Sequence, residues 1–180
     1  KRILYLANLR HPKNHKLLLE VALKFKANHP EWSFHFVGKD LDDAYAFELK
    51  DLIKKNKLED TVFIYGLRGD IDHIIDQATI GVIASSSEGL PVALLEYGLH
   101  KKAVVATKVG EIPKIISNGI HGLIVPSNDP DLFYNALVKL IEEQLITKFG
   151  DALHQTIIEN HSEQAVVSKY MNWINNELKC

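Results

Sequence analysis

Three observations predict an α/β fold: a doubly wound (Rossmann-like) six-stranded parallel sheet with helices on both faces and a helical C-terminal segment. Six short runs rich in apolar and β-branched residues alternate with stretches whose apolar residues recur at helical spacing. Most of these runs are apolar throughout, as strands covered on both faces are. Glycine follows two of them directly, at Gly38 and Gly66, where a strand gives way to a turn.

The elements follow in order. Arg2 to Ala7 is an apolar run of strand length. Leu17, Leu18, Val21, Ala22 and Phe25 then share a helix face before the break at His29-Pro30. Ser33 to Val37 is a second strand, stopped by Gly38. Asp42-Asp43 caps a helix whose apolar face holds Phe47, Leu49, Leu52 and Ile53. Thr61 to Tyr65 is a third strand, and a short helix spans Ile71 to Gln77. Ile80 to Ala84 reads as a buried strand opening onto a helix with Pro91 at its first position. Ala103–Ala106 and Leu123–Val125 complete the sheet, with a brief helix near Ile112–Ile116 between them. Asp129 caps a helix to about Glu143, another runs from Thr147 to Glu159, and a last one follows Ser162. In that last helix Val166, Tyr170, Trp173 and Ile174 mark one face, which either packs on the sheet or meets a partner.

Composition narrows the function. The 180 residues suit one domain, with 46% hydrophobic and 24% charged residues. A net charge of −2 provides no general attraction to nucleic acid or to an anionic membrane. No apolar run approaches the roughly 18–20 residues that span a bilayer. Cys180 is the only cysteine, which excludes an intrachain disulfide and suits a reducing cytoplasm. The chain opens on a strand at Lys1 without Met, as a piece of a longer protein does. No Gly-x-Gly-x-x-Gly follows the first strand, and neither a P-loop nor a Gly-x-Ser-x-Gly elbow occurs. Among nine histidines none pairs in a zinc-binding pattern, so no metal is expected.

The stretch Ser85-Ser-Ser-Glu-Gly-Leu-Pro-Val-Ala-Leu-Leu-Glu96 carries the most chemistry. A helix N-terminus has unpaired N–H groups and a partial positive charge, a seat for phosphate, and Gly89 leaves the backbone there open. Glu88 lies at the helix mouth and Glu96 roughly 7–8 Å further along the axis. Carboxylates repel phosphate but accept hydrogen bonds from hydroxyls on either side of a diphosphate, as in a sugar nucleotide. The plainer alternative is that Glu88 serves the helix dipole and Glu96 is a solvated surface group. The loop after the first strand adds Arg10 and Lys13, a planar fork and a point charge, each suited to a diphosphate.

The spacing Glu88-x7-Glu96 resembles the signature of retaining, group 1 (family 4-type) glycosyltransferases of the GT-B fold. Ala106–Lys114 and Asn118–Pro126 resemble two further stretches of the C-terminal, donor-binding domain of that family. The resemblance implies metal-independent transfer of a sugar from a nucleotide-diphosphate donor to a glycan or glycolipid acceptor, in polysaccharide biosynthesis. It implies that Glu88 faces the donor sugar and Glu96 the ribose, with Gly89, Leu90, Val92 and Ala93 around the diphosphate. Asn8–Lys13 resembles the family's Arg-and-Lys phosphate loop, with Lys13 matching its Lys. Asn8 stands in place of its Arg, so Arg10 is expected to supply that charge. Gly38, Leu67 and Arg68 are expected beside the nucleotide base, although the same residues suit ordinary strand-to-helix turns. An N-terminal acceptor-binding domain is implied as well. So are a cytoplasmic location, at the inner face of the membrane, and peripheral membrane association of the full-length protein. Rival readings are a sugar-nucleotide epimerase or phosphorylase, a nucleotide-binding domain without transferase activity, and an assembly module using Tyr170 and Trp173.

Overall fold

The computed structural model describes residues 1–177; Cys180 lies outside them. Six parallel strands form one sheet: β1 (Arg2–Leu6), β2 (Ser33–Val37), β3 (Val62–Ile64), β4 (Ile80–Ile83), β5 (Ala103–Thr107) and β6 (Leu123–Val125). Their spatial order is β3-β2-β1-β4-β5-β6. The chain winds outward from β1 in one direction, then returns to β4 and winds outward in the other. The predicted doubly wound fold is therefore present, and its switch in strand order lies between β1 and β4.

Among the described residues eight helices connect and flank the strands: α1 (His15–Asn28), α2 (Ala44–Lys55), α3 (Ile71–Gln77), α4 (Val92–Leu99), α5 (Ile112–Ile115), α6 (Pro130–Glu142), α7 (Ile146–His161) and α8 (Glu163–Glu177). One face of the sheet packs against α1, α2 and α6 through Leu18, Phe25, Leu49, Phe133 and Leu137. The other packs against α3, α4, α5 and most of α7 through Ile75, Leu94, Ile112, Leu153 and Ile157. Each such side chain contributes about 1.5–3 kcal/mol by leaving water. Caps fix where two helices begin: Asp43 accepts from the Ala46 amide and Asp129 from that of Leu132.

Several expectations shift. Pro91 is the N-cap of α4 with extended backbone, so the helix begins one residue later, at Val92. Phe47 is 55% exposed, and the apolar face of α2 is Ala46, Leu49 and Ile53, because this seam turns the intervening residues to solvent. Thr61 and Tyr65 fall outside β3, a three-residue edge strand. Val166, Tyr170 and Trp173 do not pack on the sheet; all are more than half exposed along α8.

At the switch point the β1–β4 ladder is short. Only Ile3↔Ile80 and Leu4↔Gly81 pair, although both strands continue. The Ala7 amide donates to Val37 on β2, so the alternation of the strand turns Leu4 C=O and Leu6 N–H toward β4. Both are taken by the buried Tyr97 hydroxyl of α4, which accepts from Leu6 N and donates to Leu4 O, each at 2.9 Å. The ring reaches there across Gly81, where a Cβ would lie 2.6–2.8 Å from the ring atoms. Tyr97→Phe leaves two buried backbone groups without this partner and is expected to lower unfolding free energy by about 1–3 kcal/mol in urea titration. An unchanged midpoint would show that β1 does not rely on this hydroxyl.

Candidate functional site

The loops after β1, β2, β3 and β4 converge at the C-terminal edge of the sheet, where ligands of doubly wound folds bind. They enclose a cleft of about 420 Å³. Asn8 and Lys13 border it from the β1 loop, and Gly38 from the end of β2. Leu67 and Arg68 form the wall after β3. Glu88, Leu90, Val92, Ala93 and Glu96 complete the opposite side. Arg10 does not border the cleft; it is exposed at the start of a 3-10 turn (His11–Lys13). Gly89 lies just outside the lining, and a Cβ there would meet no atom within 4 Å.

Local sequence explains this convergence. Asn14 follows the 3-10 turn with φ 51°, a left-handed conformation that asparagine tolerates better than most residues, and it starts α1. The turn thereby lifts Lys13 toward the cleft. Ser86 N–H donates to Pro12 C=O at 2.8 Å, joining the β4 loop to the β1 loop. Gly38 lets the β2 exit pass against β1, since a Cβ would sit 2.2 Å from the Ala7 carbonyl oxygen. Gly110, at φ 55°, does the same for the β5 exit, where a Cβ would meet Glu88 C=O at 2.0 Å.

The charged groups are already organised. Lys13 Nζ donates to Glu88 Oε1 at 2.6 Å, with the Glu88 side chain only 9% exposed. Ser85, fully buried, donates through Oγ to the same oxygen at 2.5 Å. Thr107 Oγ1 holds the Ser85 carbonyl, and the Tyr5 hydroxyl donates to Lys13 C=O at 2.6 Å while lying 3.1 Å from Ser85 Oγ. Burial pushes the Tyr5 phenol well above its ordinary pKa, so it remains a neutral donor. Asn8 Oδ1 is occupied by the Lys39 amide, which makes it a loop brace. Arg68 is held by Asp70 through two nitrogens. Burial, and next the charge of Asp72, raise the Glu96 pKa, with His100 opposing. The first turn of α4 has no side-chain cap, and Val92 and Ala93, whose amides precede the first intrahelical hydrogen bonds, line the cleft.

Ser85, Tyr5, Gly110 and Tyr97 are the contributors that sequence reasoning did not single out. A tyrosine in a buried strand needs a partner for its hydroxyl, and that need was the available signal at Tyr5. Among the described residues no group of three or more His, Cys, Asp or Glu side chains is gathered to hold a metal.

Comparison with known proteins adds a second line of evidence. The family described as Glycosyl transferases group 1 matches residues 1–164. A poly(ribitol-phosphate) alpha-N-acetylglucosaminyltransferase of Staphylococcus aureus is 22% identical over 161 residues, 88% of this chain and 32% of its own length. The structure of Anabaena HepE in complex with UDP superposes with TM-score 0.87 at 19% identity, over 98% of this chain and 48% of that one. The C-terminal domain of LpcC, a glycosyl transferase group 1 family protein of Francisella tularensis, gives TM-score 0.81 at 24% identity, over 91% of this chain and 87% of that one. The chain thus spans about a third to a half of the longer proteins it matches.

Directly beneath the Lys13 loop, His15 opens α1 fully buried, its ring centre 4.9 Å from that of Tyr5 and 5.3 Å from that of Phe36. Burial lowers its pKa from 6.5 to about 4. The unfolded chain therefore takes up a proton that the native one refuses, and stability falls as pH drops from about 6.5 toward 4. The slope for this proton approaches roughly 1.4 kcal/mol per pH unit. His35, lowered to about 4 chiefly by burial, acts with the same sign. His15→Phe is expected to remove only its own share of the slope in urea titrations between pH 7 and 5. Equal slopes in the two proteins would contradict the buried, neutral His15.

Proposed function

The chain belongs to the group 1 glycosyl transferases, and from that premise we propose that it is the donor-binding half of a GT-B enzyme. The enzyme transfers a sugar from a nucleotide-diphosphate donor to a glycan or glycolipid acceptor. The observation that carries this reading is a single cleft holding one lysine ammonium, an uncapped helix N-terminus and two carboxylates set apart along α4.

Lys13 and the amides of Val92 and Ala93 suit a diphosphate, where both offset the charge that grows on a leaving group. Glu96 accepts from the ribose and Glu88 from the donor sugar, while Gly38, Leu67 and Arg68 flank the base. Arg10 stands outside the cleft and Asn8 is engaged with Lys39, so Lys13 supplies the cationic contact. The UDP of the Anabaena complex supports a nucleoside diphosphate as the ligand of this fold. The reaction needs no metal in this reading. The epimerase alternative gains nothing from the family match.

An acceptor-binding domain accounts for the length that the longer relatives carry beyond this chain. It would cover the exposed face of α8, where the Tyr170 and Trp173 rings stack with centres 6.1 Å apart. Among the described residues no helix is long and apolar enough to cross a membrane. We infer a cytoplasmic enzyme working at the inner membrane face, where soluble donors meet lipid-linked acceptors.

The decisive experiment is a thermal melt with UDP, GDP, ADP and dTDP. At least one should raise the melting temperature, because a ligand at 100 times its Kd stabilises by about 2.7 kcal/mol. Four unchanged melts at millimolar ligand would sink the donor-site reading. With the active nucleotide, Glu96→Gln is expected to cost about 1–3 kcal/mol of affinity by calorimetry. Lys13→Ala should weaken the same ligand more than Arg10→Ala does, by roughly tenfold or more, and should flatten the salt dependence of binding. The reverse ranking would move the cationic role to Arg10.

A further inference from the structure

Lys13, the cation assigned to the diphosphate, is already engaged by a carboxylate. Glu88 Oε1 receives both the Lys13 ammonium at 2.6 Å and the Ser85 hydroxyl at 2.5 Å. Glu88 is thus pinned through one oxygen, and Oε2 is left to accept from a ligand hydroxyl. Ser85 is itself enclosed: it is fully buried, its carbonyl is held by Thr107 Oγ1 at 2.6 Å, and its Oγ lies 3.1 Å from the Tyr5 hydroxyl. Tyr5 also fixes the Lys13 backbone, donating to its carbonyl at 2.6 Å, so the same buried phenol lies against both the Lys13 turn and Ser85.

We propose that Ser85 is a positioning residue which holds Glu88 over Lys13, making Glu88 an internal competitor for the anion that Lys13 binds. The inference rests on the donor-site reading and specifies how that site is controlled. A diphosphate at Lys13 competes for an ammonium already engaged by a carboxylate that Ser85 keeps in place. Because Ser85 retains Oε1 when Lys13 moves to the ligand, Glu88 stays oriented with Oε2 toward the sugar. Part of the attraction for the diphosphate is given up in exchange for a carboxylate that does not follow the lysine. Other charged groups on the cleft wall do not replace Glu88 in this role. Arg68 is committed to Asp70, and Glu96 is about one and a half turns along α4 from the cap.

Inorganic pyrophosphate, which carries neither base nor sugar, isolates this competition. Binding to the chain is measured by calorimetry at low ionic strength without divalent metal, for wild type, Glu88→Gln, Ser85→Ala and the double variant. Glu88→Gln should bind pyrophosphate roughly three- to tenfold more tightly, because a like charge beside the anion has been removed. Ser85→Ala should move part of the way in the same direction, by about two- to threefold, because a released Glu88 no longer restrains Lys13. In the Glu88→Gln background Ser85→Ala should add nothing, as coupled residues of one network do not act additively. A purely structural Ser85 would instead lower affinity, and would do so in both backgrounds. Adding Lys13→Ala to Glu88→Gln should abolish the gain.

No gain in Glu88→Gln overturns the competition, and a loss in Ser85→Ala overturns its positioning role. Either result leaves the donor-site reading intact if wild type still binds a nucleoside diphosphate. Absence of pyrophosphate binding in every variant overturns this inference, and wild type failing to bind any nucleoside diphosphate overturns the donor site itself.

Discussion

The architecture depends on how β1 and β4 part company. Two parallel strands that remained paired along their whole length would close the edge of the sheet where the order switches. Here pairing stops after Leu4↔Gly81, and the exposed edge of β1 is satisfied by a side chain instead of a strand. Buried amides and carbonyls must find partners, so opening a crevice requires a substitute donor and acceptor. Tyr97 is both at once, and Gly81 is the clearance it requires. The same residue sits next to Glu96, so the contact that opens the crevice also fixes the rotation of α4 and the direction of a carboxylate on its wall.

Around that opening, the strand exits are joined by contacts that admit little slack. Ser86 meets Pro12, Gly38 packs on Ala7, and Gly110 packs on Glu88. Each joins loops distant in sequence, and two are backbone contacts at less than a side chain's width. Side chains of opposite charge are thereby held at fixed separation before any ligand is considered. In such a site affinity is set by the existing pairings as much as by the number of charges, since a half-buried lysine with a partner is not equivalent to a solvated one.

Much of this was legible in the sequence, for identifiable reasons. Strand runs such as Ile80 to Ile83 are apolar at every position because both faces are covered, and turn residues follow them closely. Residues from Asn8 to Glu96 border one cleft because a doubly wound fold brings strand exits together regardless of what each loop contains. Arg10 lies outside the cleft because its place depends on the 3-10 turn and the left-handed Asn14 after it, which spacing alone does not reveal. Ser85 carries no sequence signal, because a serine before a helix ordinarily serves the local backbone, whereas here its hydroxyl serves a carboxylate. The Lys13–Glu88 pair spans 75 positions, and no local pattern announces such a contact. Periodicity alone does not place the open face of α8, since it marks an apolar stripe without saying what covers it.

The division between frame and rim has an evolutionary consequence. The frame is built from small or buried residues whose replacement would cause collision or leave polar groups stranded: Gly38, Gly81, Tyr97 and Gly110. The rim is different, with Leu67 75%, Leu90 50% and Val92 63% exposed and almost nothing in the fold dependent on their shape. Mutations at the rim therefore carry little folding penalty, while those in the frame carry a large one. Descendants of such a domain can drift to about a fifth identity and still superpose closely, as this chain does on the Anabaena protein. Selection is then able to trade one cargo for another by rewriting a few outward side chains, without having to reinvent the crevice.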